Sequence, residues 1–536
     1  MSEIVALGEE ALFRPAADTP WRRLDAPAPR VVERGGRRAL EIPPETLTAL
    51  AAEAFRDTAF HVRPARNDAL AAILADPEAS PNDRFVAIGL LRNAMISAEG
   101  LLPMCQDTGT ATVFGLKGED VRTGADDVAA LAAGVREAFA RHALRYSQMI
   151  PRGMFDERNS GDNLPAQIEI GAAPGMEYRL LFIAKGGGSA NRTALFQANP
   201  AILNEADLSA FLREKVNALG VSGCPPYRLA AAIGGTSPEL NLKAVKLAAA
   251  GAMDGLPDAP GAGAALYRDR DWEARLLAMA RASGWGAQFG GKYLAIEARV
   301  VRMARHAGSL PVGLGVSCSA DRNALARISA DGVFLEQLDH NPGRLTPALA
   351  AAGPTAARRI ALAVPMAEIL AQLRECRAGQ AVLLSGPMVV ARDLAHARIR
   401  ERLRAGGALP DYFRNHPVYY AGPAKTPPGL PTGSFGPTTA NRMDDYLDEF
   451  MALGGSLVTL AKGNRSQAAQ DACRKYGGFY LGTIGGAGAL MAKEHITASA
   501  VLDFADLGME AVHRIEVRDL PAFVIYDHQG GRLYLT

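Results

Sequence analysis

Only five cysteines occur in the 536 residues, at positions 105, 224, 318, 376 and 473. Thiols so few and so far apart exclude a disulfide framework, and none is spaced C-x-x-C as in zinc ribbons and small ferredoxins. Any metal site must therefore be assembled from distant loops. Charge of one sign is not in excess either: Lys+Arg 58 against Asp+Glu 57 gives a formal net charge of +1. That balance excludes a nucleic acid as a bulk electrostatic partner. Runs of 18 or more apolar residues are missing, the window from Ile360 to Leu373 being broken by Pro365 and Glu368, so no membrane span is expected. The N-terminus carries Glu3, Glu9 and Glu10 and lacks the basic-then-apolar order of a secretory signal, which makes a soluble, cytoplasmic protein the expectation. Internal repeats and low-complexity tails are also missing.

A chain of this length, 48% hydrophobic, exceeds what one core supports, so at least two domains are expected. Apolar residues at helical spacing predict helices in Leu47–Phe60, Ala69–Leu74 and Phe85–Met95. From Pro103 glycine-rich turns alternate with short apolar runs, and Ala166–Gly171 and Tyr178–Ala184 read as strands. Helices are expected again at Leu208–Leu219, Pro238–Ala250, Trp272–Ala282 and Leu294–Arg305. Around Asn341–Ala357 the composition turns to Pro, Gly, Ala and Thr. The expected division is a larger mixed α/β (α+β) domain over 1–350, a linker over 351–378 and a smaller α/β domain over 379–536. In the latter, Gln380–Val390 reads as a strand leading to a helix, Ala421–Asn441 as a loop, Met443–Leu453 and Asn464–Tyr476 as helices, and Ser456–Leu460 and Ala522–Asp527 as strands.

Cys105, Cys224 and Cys318 lie among Gly, Pro, Ser and Asp, in PMCQDTG, GCPP and GLGVSCSADRN. A thiol in such a loop packs poorly in a core, whereas turns with free N–H groups suit a metal-bound thiolate. On the residues alone these three are either core thiols or ligands; Cys376 and Cys473 fall within helical patterns. A cubane cluster held by three thiolates keeps one iron open, and an open iron is a Lewis acid suited to dehydration. The Gly186–Ser189 loop could cradle an anion with its N–H groups, but neither it nor Gly485-Gly486-Ala487-Gly488 carries a nucleotide-binding pattern. Lys462 closes an apolar run at an expected strand end, where ligand-binding residues gather. Arg442 follows Thr438 by four residues, so a helix beginning near Pro437 would put both on one face; alternatively Thr438 is a helix cap.

The segments LRYSQ (144–148), NLPAQ (163–167), IAKGGGSAN (183–191), CPPY (224–227), IGGTS (233–237), GAQFGGKY (286–293), GLGVSCSADRN (313–323), ARDLAH (391–396) and GSFGPTTANRM (433–443) resemble those of the single-chain class I fumarases, in order over roughly residues 60–530. The resemblance implies a 4Fe-4S cluster on Cys105, Cys224 and Cys318, in a homodimer. It also implies an active site between the larger domain and a smaller C-terminal domain of the swivelling type. Gln106, Asp107, Arg145 and Gly188 would contact a small dicarboxylate from the N-terminal side, and Arg392, Thr438, Arg442 and Lys462 from the C-terminal side. Such a cationic set suits a dianion, since guanidinium groups grip carboxylates in pairs of hydrogen bonds.

The activity implied is reversible hydration of fumarate to L-malate. In it Thr438 acts as the base at C3, and Asp107 with His306 forms the pair that protonates the departing hydroxide. The alternatives are mesaconate or tartrate as substrate within the same family and, from another class, a non-catalytic iron–sulfur sensor or an electron-transfer protein; a pure electron carrier needs no dicarboxylate pocket.

Overall fold

The computed structural model describes residues 7–261, 265–352 and 357–534. Glu3 and residues 353–356 of the expected linker lie outside them. Among the described residues no helix is long and apolar enough to cross a membrane.

The fold is mixed α/β, built on three large sheets. A six-stranded sheet runs in the order Trp21–Arg23, Gly332–Glu336, Asn323–Ser329, Tyr178–Lys185, Thr110–Gly118, Gln167–Ala173. A five-stranded sheet runs Ala194–Ala198, Leu310–Ser317, Tyr227–Gly235, Ala295–Arg305, Leu266–Arg268. The third has seven strands and draws only on residues after 357: Arg358–Ala361, Ala381–Val390, Val418–Tyr419, Val458–Ala461, Phe479–Gly482, Val512–Tyr526, Ile496–Asp503. The long strand Val512–Tyr526 also pairs with Ala381–Val390, which closes this sheet on itself.

Local sequence sets the helix starts. Ser80 caps Pro81–Ser97 by accepting from Asp83 N, and Ser237 caps Pro238–Ala249 by accepting from Leu240 N, each with proline in the first turn. Helices Pro44–Phe60, Pro64–Ala75, Glu205–Leu219, Arg270–Ala282, Asp444–Ala452 and Gln467–Tyr476 and strands Gln167–Ala173, Tyr178–Lys185, Ala381–Val390 and Val458–Ala461 fall where the sequence pattern puts them.

Two expectations are corrected. Leu294–Arg305 is not a helix: Ala295–Arg305 is a strand parallel to Tyr227–Gly235. Its alanines and arginines favour a helix, but Ile296, Val300 and Val301 suit a strand, and Glu297 and Arg299 find their partners across it, at Arg228 and Asp254. Nor does a helix begin near Pro437. Phe435–Pro437 is a strand, and one 3-10 turn, Ala440–Met443, follows.

The N- and C-terminal halves share an apolar core. Phe289 stacks on Phe523 with ring centroids 4.4 Å apart, Phe85 meets Phe523 edge-on at 5.1 Å, and Trp285 lies 5.1 Å from Tyr534. Aromatic contacts of this kind bury large areas, and here they tie the seven-stranded sheet to helix Pro81–Ser97 and to the loop that carries Trp285 and Phe289.

Candidate active site

Cys105 follows helix Pro81–Ser97 in the loop that leads into strand Thr110–Gly118; Cys224 precedes strand Tyr227–Gly235; and Cys318 follows strand Leu310–Ser317. The last two strands are antiparallel neighbours with Arg228 opposite Ser317, so their cysteine-bearing ends coincide. Cys224 holds a left-handed backbone, φ +63°, and its carbonyl accepts from Ser319 N at 2.9 Å. Burial pushes the Cys105 thiol up, opposed by Arg322 and Lys462. It pushes Cys224 up to about 11, opposed by Lys462 and reinforced by Cys318 and Cys105.

The cationic residues converge on these loops. Lys462 Nζ donates to Cys224 Sγ at 2.8 Å and lies beside Gly188, where a Cβ would stand 3.2 Å from it. Gln106 bridges the halves: its Oε1 lies 3.4 Å from Cys105 Sγ, and its Nε2 donates to Pro437 O at 3.2 Å. Asp107 pairs with Arg145 at 3.1 Å and accepts from Gly187 N at 2.9 Å and Gly109 N at 3.2 Å. Although burial works the other way, Arg145 and Arg322 hold its carboxyl down at about 2.

From the C-terminal half, Arg442 Nη2 donates to Thr438 Oγ1 at 2.5 Å and pairs with Asp393. Lys462 N donates to Thr438 O at 3.1 Å, which holds Thr438 and Lys462 side by side. Thr438 is therefore a partner of Arg442 rather than a helix cap; the 3-10 turn starts after Thr439, whose side chain caps nothing. Arg392 pairs with Glu510 at 2.5 Å. Burial brings the Arg392 guanidinium down to about 10 and pushes Glu510 up.

Between the halves lies a cleft of about 750 Å³ lined by Asp107, Thr110, Arg145, Lys185, Gly187, Arg392, Arg442 and Glu510, among others. Six basic side chains of its wall, among them Arg145, Arg392 and Arg442, face five acidic ones, and guanidinium groups so placed can grip a small dianion.

His306 is the exception. It is exposed in the turn after Arg305, where its Nδ1 accepts from Gly308 N at 3.1 Å. Tyr227 pairs with Ala295 and Gly235 with Arg305. His306 thus stands a full strand length from Cys224, roughly 30 Å at the usual rise per residue. The Asp107–His306 pair is not formed within one chain.

Sequence reasoning missed Arg322 and Lys185, although both lie inside the quoted motifs. Arg322 donates to Asp107 O and opposes the Cys105 shift. Lys185, brought down to about 8 by burial, donates to Val316 O at 2.8 Å and lines the cleft. Nothing in the sequence singles out Glu510, whose partner Arg392 lies 118 positions earlier.

The three thiols fit an iron–sulfur cluster as donors: they converge from separate loops, and beside them the buried Ser319 Oγ has no partner. A bound cation deprotonates a coordinating thiol whatever its pKa in isolation. A second grouping, Asp57, His61 and His340, does not make a metal site. The two rings stack 4.0 Å apart with planes 19° from parallel, so their in-plane lone pairs do not converge, and Asp57 is already paired with Arg22 at 2.7 Å and Arg56 at 3.2 Å.

Residues 48–327 match the family described as Fumarate hydratase (Fumerase), and residues 332–536 match Fumarase C-terminus. The chain is 50% identical over 518 residues to "Fumarate hydratase class I, aerobic" of Escherichia coli (strain K12), covering 96% of this chain and 94% of that protein. It is 50% identical over 504 residues to "Fumarate hydratase 2" of Leishmania major, 94% of this chain and 89% of that one. A "Putative L(+)-tartrate dehydratase subunit alpha" of Methanocaldococcus jannaschii (strain ATCC 43067 / DSM 2661 / JAL-1 / JCM 10045 / NBRC 100440) is 29% identical over 263 residues, 47% of this chain and 88% of that one.

Proposed function

Since the chain belongs to the class I fumarate hydratase family and is a hydro-lyase, we propose that it interconverts fumarate and L-malate with a 4Fe-4S cluster on Cys105, Cys224 and Cys318. When bound, the cluster supplies an open iron that acts as a Lewis acid toward the hydroxyl of malate. The observation that carries the reading is the Lys462 ammonium 2.8 Å from Cys224 Sγ and beside Gly188, which joins the thiol loops to the dicarboxylate-binding set.

Arg145 on one wall, with Arg392, Arg442 and Lys462 on the other, hold the two carboxylates and fix the orientation of C2 and C3. Gln106, against Cys105 and Pro437, and Gly188, beside Lys462, contact the substrate between the thiol loops and the cationic set. Thr438 takes the proton from C3; a free hydroxyl is a poor base, and the hydrogen bond from Arg442 Nη2 stabilises its deprotonated form. Asp107, held by two backbone N–H groups, orients the imidazole that returns a proton to the departing hydroxide.

That imidazole is His306, and its distance from Asp107 within one chain means that a second copy supplies it. This arrangement requires a homodimer. Beside the cleft the hairpin Met149–Pro151 and Glu157–Asn159 carries Met154 and Phe155 at its tip, 87% and 99% exposed, as expected of a surface another copy covers. Fumarate is preferred to tartrate because the match to a named fumarate hydratase runs along 96% of the chain in one polypeptide at 50% identity, whereas the tartrate-type matches are to two separate subunits at 29% and 33%.

The test is anaerobic turnover of fumarate and malate, followed at the fumarate absorbance, on protein reconstituted with iron and sulfide, beside the same sample after exposure to air. Fast turnover lost in air supports the reading. An intact cluster without turnover of either acid defeats it.

A further inference from the structure

After strand Phe479–Gly482 the chain forms a glycine-rich loop, Thr483–Leu490, that approaches all three cysteine loops. A Cβ on Gly485 would stand 2.4 Å from Cys224 Sγ, one on Gly486 2.3 Å from Ser319 Oγ beside Cys318, and one on Gly488 2.8 Å from Gln106 N and 3.2 Å from Cys105 Cα. Real side chains do not approach so closely, so only glycine permits this contact; Gly486, at φ +86°, also needs the left-handed region.

Two buried amides hold the loop there. Gln288 Nε2 donates to Pro225 O at 2.8 Å and to Gly485 O at 3.0 Å, and its Oε1 accepts from Gly485 N at 2.7 Å. Asn93 Nδ2 donates to Met104 O at 3.0 Å and Gly486 O at 3.2 Å, and its Oδ1 accepts from Leu490 N at 3.0 Å. Each amide thus bonds on one side to the residue next to a cysteine and on the other to the glycine loop. Gly488 N adds a direct bond to Met104 O at 3.0 Å.

Resting on the cluster reading above, we infer that Asn93 and Gln288 are positioning residues that clamp the Thr483–Leu490 loop onto the cysteine loops, making it the C-terminal wall of the cluster pocket. The clamp sets how closely the half that carries Thr438 and Lys462 approaches the thiols, and it keeps solvent from that side of the cluster.

The test uses the full chain, purified and reconstituted without oxygen, as wild type, Gln288→Glu, Asn93→Asp and Gly485→Ala. The two acids keep the size and acceptor of each amide but lose both donor bonds, and Gly485→Ala disturbs the close approach while leaving the amides in place. Iron release to a ferrous chelator after a pulse of ferricyanide and the electron paramagnetic resonance spectrum of the reduced cluster are the readouts, with near-ultraviolet circular dichroism as the control for folding. Each variant is expected to fold and to release iron about 10-fold faster, with altered g-values. Acid variants that match wild type in both readouts overturn the clamp; if neither acid folds, Gln288→Asn, one methylene too short to reach both Pro225 O and Gly485, takes their place with the same criterion. A wild type that takes up no cluster overturns the cluster reading itself, a result distinct from loss of the clamp alone.

Discussion

Thr438 has a hydroxyl that accepts a hydrogen bond from a guanidinium, an environment that favours its deprotonated form. Thr438→Ala is expected to lower kcat at least about 100-fold, as for loss of a general base, with the cluster spectrum intact, whereas Thr438→Ser retains activity. Full turnover by Thr438→Ala would remove the base assignment. Lys462 was legible as a strand-end lysine, but its contact with a thiol 238 positions away was not, because residue type says nothing about which distant loop folds against it. The same holds for Asn93 and Gln288. Gln288 sits in a motif and Asn93 in an ordinary helix, and what distinguishes both is the backbone that their amides meet.

Among the elements, regular helices with capping serines and in-turn prolines were legible from spacing alone. Ala295–Arg305 was not, since its composition favours a helix and only its neighbours Tyr227–Gly235 and Leu266–Arg268 make it a strand. Asp254 joins the two parallel strands, pairing with Arg228 at 2.6 Å and Arg299 at 2.7 Å. Burial works to raise its pKa, but the two guanidinium groups hold it well below the ordinary carboxylate range. A depressed folded-state value adds stability above the unfolded pKa, about 4, that is lost as pH falls through the folded value. Urea titrations should therefore show Asp254→Asn less stable than wild type at neutral pH, with the difference shrinking on acidification; a pH-independent difference would contradict the linkage.

The loop that carries Gln288 depends on one carboxylate of helix Pro81–Ser97: Asp83 accepts from Ala287 N at 2.7 Å and Lys292 N at 3.0 Å. Asp83→Ala strands both donors and is expected to cost roughly 2–6 kcal/mol of unfolding free energy, at 1–3 kcal/mol per buried unpaired group. A loss under 1 kcal/mol would show that water replaces the carboxylate.

At the scale of the molecule, the aromatic contacts that unite the N- and C-terminal halves were not legible in the sequence, because residue type does not say which distant ring it meets. The displacement of His306 was invisible too, because a motif gives order along the chain and not distance. If two copies share each site, mixing unfolded Thr438→Ala and His306→Asn chains and refolding them together should restore about a quarter of wild-type activity, since half the dimers pair unlike chains and each of those holds one complete site. No recovery would place both residues in the same chain's site.

Closure of the seven-stranded sheet by Val512–Tyr526 bears on how the protein is made. The ribosome delivers Cys105, Cys224 and Cys318 long before that strand, and before Tyr534, whose phenol donates to Gln288 O. On the cluster reading proposed above, the wall that faces the cysteine loops is complete only after those last residues are made, and a chain cut before Val512 is expected to take up no cluster.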